Sequence, residues 1–340
     1  MKPDFRSSPL AGLLLLVSLG AAGAAMAEPA PPFAALLAQA QATAPRLAEA
    51  RANIARAEGL ARQAGAIPNP SVGLEIENFS GSGPFRGTSL SETTATIGQT
   101  VELGGKRSGR VAAGRAEVEA ARAQARRSEA EYAFDLGAAY ADAEGAERRL
   151  KLAHDSRSLA EEDARIATAL VAAGREADLR RLQAQAAVQA ARAAVDEAQA
   201  ARATAFGNLT ALAGASAPIT SIPVSLLEAK APLFSGANPA ANATTAFLAA
   251  QAEREAAARR LSVERRRAIP DVTLSVGLRR FQEDDATALV AGVSVPLPLF
   301  DQNRGNIAAA RAEQTAAEAR LNAARLDAEA AVRTSTARIS

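Results

Sequence analysis

The sequence predicts a mainly α-helical chain that also carries membrane β-structure: long coiled-coil helical hairpins, plus four β-strands contributed to a shared transmembrane β-barrel. Three observations predict it. The first residues read as an export signal. Two pairs of short alternating segments recur as copies of one unit. The stretch after each pair is long, free of proline and, after the first, patterned in sevens.

Lys2 and Arg6 form a basic start, Leu10 to Ala25 is apolar, and Ala25-Met26-Ala27 supplies the small-x-small pattern of a cleavage site. Residues 1–27 are therefore expected to be a signal peptide. The apolar core is short for a bilayer-spanning helix, and Glu28-Pro29-Ala30-Pro31-Pro32 breaks the chain behind it. No cysteine is present, which excludes a disulfide framework, a thiolate metal site, a cysteine nucleophile and a lipid-bearing mature N-terminus. Thirty-nine basic residues against 37 acidic ones give a net charge of +2, with both signs interspersed along the helical stretches. That is the pattern of solvated helix faces and not of a nucleic-acid footprint.

The repeat sets the domain plan. Ala66-Ile67-Pro68-Asn69-Pro70-Ser71-Val72 recurs as Ala268-Ile269-Pro270-Asp271-Val272-Thr273-Leu274, an offset of 202. Gly98, Val101 and Leu103 match Gly292, Val295 and Leu297 at 194, and Arg115-Ala116-Glu117 matches Arg311-Ala312-Glu313 at 196. The first repeat is expected over residues 28–214, a connector over 215–242 and a second repeat over 243–340. Each opens with a charged, alanine-rich helix, Ala44 to Ala66 in the first.

A β-hairpin follows in each copy, over 71–103 and 271–297. Val72, Leu74 and Ile76 alternate with Gly73, Glu75 and Glu77, and Val272, Leu274, Val276 and Leu278 alternate with Thr273, Ser275, Gly277 and Arg279. The returning strands continue the alternation. Half-buried strands of a soluble sheet would show the same period, but in an exported chain two hairpins of membrane-crossing length favour bilayer strands. Four strands cannot close a barrel, and open edges are forbidden in lipid, so the strands must be shared with other subunits. On this reading Glu75, Glu77, Thr273, Ser275 and Arg279 face the barrel lumen.

A long helix from about Lys106 to Ala172 follows the first hairpin. Val111, Val118, Ala125, Tyr132 and Ala139 recur every seven residues, as do Leu152, Leu159 and Ile166, which predicts a coiled-coil seam. Gly174 interrupts it, and a return helix from Glu176 to about Ala213 completes a helical hairpin over 106–213. Laid end to end, the return helix and the Ala44–Ala66 helix nearly match the long one, giving a wall of one continuous helix beside two stacked ones. In the second copy a long helix is expected over 306–340. By the 196 offset Ser340 corresponds to Glu144, so the second copy is expected to continue for about 70 residues more.

This arrangement resembles the TolC family of outer-membrane factors over essentially the whole mature chain. The most specific residues follow the second strand of each copy: Val101-Glu102-Leu103-Gly104-Gly105-Lys106-Arg107, and Val295-Pro296-Leu297-Pro298-Leu299-Phe300-Asp301-Gln302-Asn303-Arg304-Gly305. They are similar to the strand-to-helix passages of the branch serving heavy-metal (cobalt-zinc-cadmium type) exporters of the resistance-nodulation-division type. The resemblance implies a homotrimer with twelve strands in one outer-membrane barrel above a periplasmic helical tunnel. It implies a passive conduit for export, with heavy-metal cations as the expected cargo. The implied partners are a periplasmic adaptor protein, an inner-membrane pump and outer-membrane lipid, with no nucleic acid, no cofactor and no catalysis. The turn at Ala173, Gly174 and Arg175 is similar to the family's adaptor-docking tip.

Other residue patterns are weaker. His154 is the single histidine and sits mid-helix, and Glu283-Asp284-Asp285 reads as a solvated loop tip. No nucleophile–base pair or phosphate-binding glycine loop appears. The alternatives are a periplasmic adaptor, which would carry one helical hairpin inserted in a β-domain, and a coiled-coil scaffold without a membrane role, which would not fractionate with outer membranes.

Overall fold

The computed structural model describes residues 28–228 and 243–339. The expected signal peptide lies outside the described residues, as does the connector between 229 and 242.

The described residues open with a short strand β1 (Glu28–Pro29), then helices α1 (Phe33–Thr43) and α2 (Pro45–Ala64). Pro45 separates the two helices: it occupies the first position of α2, where its missing N–H costs nothing, and would break a continuous helix. Helix α1 is additional to the expected elements. Strands β2 (Ser71–Glu77) and β3 (Glu92–Val101) form the first hairpin. Helix α3 runs without interruption over Lys106–Ala172, 67 residues and about 100 Å at the usual rise. Helix α4 (Asp178–Ala213) returns along it; Glu176, expected as its first residue, belongs to the turn. Strand β4 (Ile219–Ser221) follows and pairs in parallel with β1, so the expected connector begins with ordered structure. The second copy contributes α5 (Thr245–Arg267), β5 (Val272–Phe281), β6 (Ala286–Ser294) and α6 (Arg304–Ile339), the last beginning two residues before the expected Asn306.

The helices form a wall with α3 at its centre. Helix α2 packs antiparallel on the sheet-proximal half of α3, with Arg122 bridging to Glu58 and Arg46 reaching Glu131 and Asp135. Helix α4 packs on the distal half, where Arg180 meets Asp163 and Arg202 meets Glu147. Helix α5 lies beside the proximal half of α3, and α6 beside α5. The core sits where α1, the start of α2 and the end of α4 meet the middle of α3. Leu36, Leu47, Leu136, Tyr140, Phe206, Leu209 and Ile219 are buried together there, and the Phe33 ring meets Tyr140 edge-on. Each such large side chain contributes roughly 1.5–3 kcal/mol by leaving water. Tyr132 and Tyr140 satisfy their buried hydroxyls by donating to the carbonyls of Leu212 and Val224.

The heptads divide at this waist. Val118, Ala125 and Tyr132 are buried, but Leu152, Leu159 and Ile166 are exposed, as are Leu179 and Leu182. The distal seam instead buries the small residues Ala167 and Ala184 with Val188 and Val195. Alanine permits close helix approach, and leucine spacing alone does not say which face of a helix meets its neighbour.

The sheet is open, ordered β2-β3-β5-β6, with every pair antiparallel. Its register corrects the repeat alignment. Ser71 faces Gly98, whereas Thr273 faces Ser294 and Gly292 faces Ser275. Matching Ser71 with Thr273 and Gly98 with Gly292 at once is therefore two residues off on one strand.

Candidate membrane sheet, strand-to-helix passage and helical tip

Pairing assigns every strand residue to a face, because side chains alternate. One face carries Val72, Leu74, Ile76, Ala95, Ile97, Val101, Val272, Leu274, Val276, Leu278, Leu289, Ala291 and Val293, with Thr93, Gln99, Arg280 and Thr287 as its polar exceptions. Its large side chains stand open: Val72 is 80%, Leu289 74% and Val293 72% exposed. The opposite face is mainly polar, with Phe281, Ala286, Ala288 and Val290 as apolar members. It brings together all five residues expected at the lumen, Glu75, Glu77, Thr273, Ser275 and Arg279, beside Glu92, Thr94, Thr96 and Thr100. Arg279 links three strands there, pairing with Glu77 at 3.0 Å and Glu92 at 3.0 Å and donating to the Thr94 hydroxyl. The Glu77 oxygen that meets Arg279 lies at ion-pair distance without hydrogen-bond geometry. Thr100 and Thr273 share a hydroxyl hydrogen bond at 3.1 Å.

Below the sheet, Gly104 (φ 65°) and Gly105 (φ 68°) turn the chain from β3 into α3. Both have left-handed backbones that a β-carbon would strain, and at Gly104 it would fall 2.3 Å from the Ile269 side chain. The second copy thus seals the first passage. The Leu103 N–H donates to the Asp271 carboxylate, Lys106 pairs with Asp271 at 2.8 Å, and Arg266 donates to the Gly105 carbonyl. Arg110 pairs with Glu102 and donates to the Ala64 and Ala66 carbonyls, tying strand end to α2. The hydrogen bond to Glu102, with the Glu102 and Asp271 charges, raises the Arg110 pKa against its desolvation. Sequence reading missed Glu102–Arg110; a charged pair flanking the double glycine was the available signal. The second passage differs. Leu297, Leu299 and Phe300 are exposed, Phe300 completely, while Asn303 ties back to Glu264 of α5.

At the far end Gly174 (φ 67°) closes α3. The Gly174 N–H donates to Val171 and the Arg175 N–H to Leu170, the paired bonds of a Schellman turn. Ala173, Gly174 and Arg175 all face solvent, and nothing lies within 4 Å of a β-carbon placed on Gly174. Asp178 starts α4 and pairs with Arg181, which lowers the Asp178 pKa.

A second missed site lies at the waist. The Glu144 carboxylate is 4% exposed and accepts from the Ser225 hydroxyl and the backbone N–H groups of Leu226 and Leu227, with Arg148 at 2.7 Å. Burial alone pushes this carboxyl up, but those hydrogen bonds and the Arg148 charge outweigh it and hold it below the usual range.

His154 is half-buried on α3, and in the second hairpin loop Asp285 pairs with Arg280. Among the described residues no group of three or more His, Cys, Asp or Glu could hold a metal ion, and no helix is long and apolar enough to cross a membrane.

Comparison with known proteins bears on these features. The outer membrane efflux protein family matches residues 36–215 and 237–340. The nickel-cobalt-cadmium resistance protein NccC of Alcaligenes xylosoxydans xylosoxydans is 39% identical, over 98% of this chain and 76% of its own length. The nickel and cobalt resistance protein CnrC of Cupriavidus metallidurans is 40% identical, over 90% of this chain and 72% of its own. Among solved structures, the outer membrane protein VceC of Vibrio cholerae superposes with a TM-score of 0.67 at 24% identity, covering 87% of this chain and 75% of that one. A membrane protein of Pseudomonas aeruginosa gives 0.71 at 20% identity, covering 90% and 77%.

Proposed function

This chain belongs to the outer membrane efflux protein family, and from that premise we propose that it is one protomer of a trimeric, passive export duct. An outer-membrane efflux channel component needs a lipid-facing surface and a wetted bore. The single observation that carries this reading is the open four-stranded sheet, apolar on one face and mainly polar on the other, continued by helix α3 of about 100 Å. In lipid neither edge of that sheet can stay unpaired, so the strands of several copies close one barrel. The apolar face then meets lipid, and Glu75, Glu77, Thr273, Ser275 and Arg279 line the bore. Below the bilayer the helices form the wall of a periplasmic tunnel.

The exposed turn at Ala173, Gly174 and Arg175 is the docking point for a periplasmic adaptor, through which an inner-membrane pump of the resistance-nodulation-division type delivers cargo. That assignment rests on the family resemblance and on the turn's position at the far end of the longest helix. The cargo is heavy-metal cations, on the strength of the two relatives named for nickel, cobalt and cadmium resistance. Residues 1–27 serve as the export signal. The duct itself performs no catalysis.

Deleting the gene and restoring it on a plasmid tests this. Tolerance to nickel, cobalt or cadmium should fall several-fold and recover, and the protein should fractionate with outer membranes. Recovery in the soluble periplasmic fraction would overturn the duct. Unchanged metal tolerance beside lost tolerance to an organic toxicant would keep the duct and overturn the cargo.

A further inference from the structure

We infer the register of the seam between copies: β6 of one protomer pairs antiparallel with β2 of the next so that Val293 faces Leu74, staggered by four residues. The inference rests on the barrel reading above and adds which residues meet. Its premise is that the chain already contains one joint between copies of the duplicated unit, β3 on β5. There Thr94 faces Arg279, Thr96 faces Gly277, Ile97 faces Val276 and Gly98 faces Ser275. Strand β6 is the second-copy equivalent of β3, and β2 the first-copy equivalent of β5. A ring of such units repeats the same joint at the seam.

Carrying the joint across requires the correct equivalence, and the two hairpin registers leave two choices. Holding Gly98 equivalent to Gly292 makes Ser71 equivalent to Ser275, and both segments then read Ser-Val-Gly-Leu. Holding Ser71 equivalent to Thr273 makes Gly98 equivalent to Ser294, an offset of 196. The second choice agrees with both flanking anchors: Ala66-Ile67-Pro68 recurs at 202 before the hairpin and Arg115-Ala116-Glu117 at 196 after it.

Barrel geometry decides between them. Ser71, Gly98, Ser275 and Gly292 stand in one row straight across the four strands. Under the first choice Gly292 meets Ser71 of the next copy, the row closes on itself, and the strands stand upright. Closed barrels do not do this; their strands tilt by about 35–45° and their register is staggered. Under the second choice Gly292 meets Glu75 of the next copy, four residues further along. Four residues at about 3.4 Å over four strand spacings of about 4.8 Å give a tilt of about 35°. This holds for any number of copies, because the stagger per copy alone sets it.

The seam so built pairs Ala291 with Ile76, Val293 with Leu74, Val290 with Glu77, and Ser294 with Gly73 across the joint. Each pair joins like faces: Val293 and Leu74 are both on the open apolar side, at 72% and 68% exposure, and Gly292 leaves room beside the Glu75 carboxylate.

The chain has no cysteine, so paired cysteine substitutions report single contacts. Full-length protein in outer-membrane vesicles would carry Leu74→Cys with one of three partners: Val293→Cys for a stagger of four, Leu289→Cys for none, or Val295→Cys for six. Leu74→Cys with Ala95→Cys is the in-chain control, since those residues face each other. Strands β2 and β6 lie at opposite edges of one sheet, so a bond between them joins two chains. Mild oxidation should move the L74C/V293C protein from the one-chain mass to the mass of the linked ring, and leave the other two pairs at one chain. Preferential linking of L74C/L289C or L74C/V295C would overturn the register while sustaining the barrel. An oligomer by native mass measurement with no linking at any pair would also overturn the register. A monomer with no linking would overturn the barrel reading itself.

Discussion

At the scale of single residues, Glu144 shows how a charge can be structural. It lies on the stripe of α3 that includes Leu136, Tyr140 and Ala143, and its carboxylate holds the connector against the wall. A buried carboxylate is costly unless its oxygens are satisfied, and three donors plus Arg148 satisfy them. Glu144→Gln keeps an acceptor but removes the charge. It should cost about 2 kcal/mol locally, read as roughly 30-fold faster hydrogen exchange at Leu226 and Leu227. Because the folded pKa is depressed, the stabilisation is present above the ordinary carboxylate range, near about pH 4.3, and is lost as pH falls through the folded value. Wild-type protection at these amides should therefore fade on acidification and the variant's should not. Equal exchange in the two proteins at neutral pH would remove Glu144 from this role. The sequence hid this residue because heptad reading places charges outward, and only its spacing from Tyr140 betrays it.

At the scale of elements, periodicity told most where one side of a strand or helix meets something different from the other. The two faces of the sheet were legible down to Glu75 and Arg279, because strand alternation leaves no choice of face once register is fixed. The helical hairpin was legible from the proline-free run and Gly174, and the positive φ at Gly174 supplies the physical reason for that glycine. The distal seam was not. Leu152, Leu159 and Ile166 keep heptad spacing yet lie open, while Ala167 and Ala184 pack. Strand β4 was invisible too, since three residues beside Pro218 carry no period. The tip yields a clean test, because an added β-carbon at Gly174 meets no atom and the whole penalty is backbone strain. Gly174→Val should cost about 1–2 kcal/mol in the turn and reduce export and adaptor crosslinking, with outer-membrane insertion unchanged. Gly174→Asn, which tolerates a left-handed backbone, should retain most of the export. Loss of insertion in the valine variant, or equal export in both, would argue against a docking tip.

At the scale of the whole molecule, the question is what makes two copies of one unit a single wall. The sheet joins them through β3 and β5, and the helices through α3 and α5. Arg260 stands at the second joint. It pairs with Glu117 of α3, Glu253 of its own helix at 3.0 Å and Glu313 of α6 at 2.8 Å, so one guanidinium serves three helices and both copies. The hydrogen bond that Arg260 donates to Glu117 leads the causes that raise its pKa against desolvation, and the charge is permanent. The side chain is 29% exposed, so solvent screens part of each attraction and no single pair is worth much. Removing the cation has a larger effect than any pair suggests, because three carboxylates are left facing one another. Arg260→Leu should lower stability by about 2 kcal/mol at low salt, seen as a depressed thermal midpoint of the detergent-extracted protein. Repulsion among the remaining carboxylates is screened as the Debye length shrinks from about 10 Å at 0.1 M salt to about 3 Å at 1 M. The deficit should therefore narrow at high salt, which a packing defect would not do. Arg259→Leu is the control: among the described residues Arg259 pairs only along its own helix with Glu255, and its loss should cost about 0.5 kcal/mol or less. A salt-independent deficit, or equal losses for the two variants, would mean that packing between α3 and α5 joins the copies and that the Arg260 network does not.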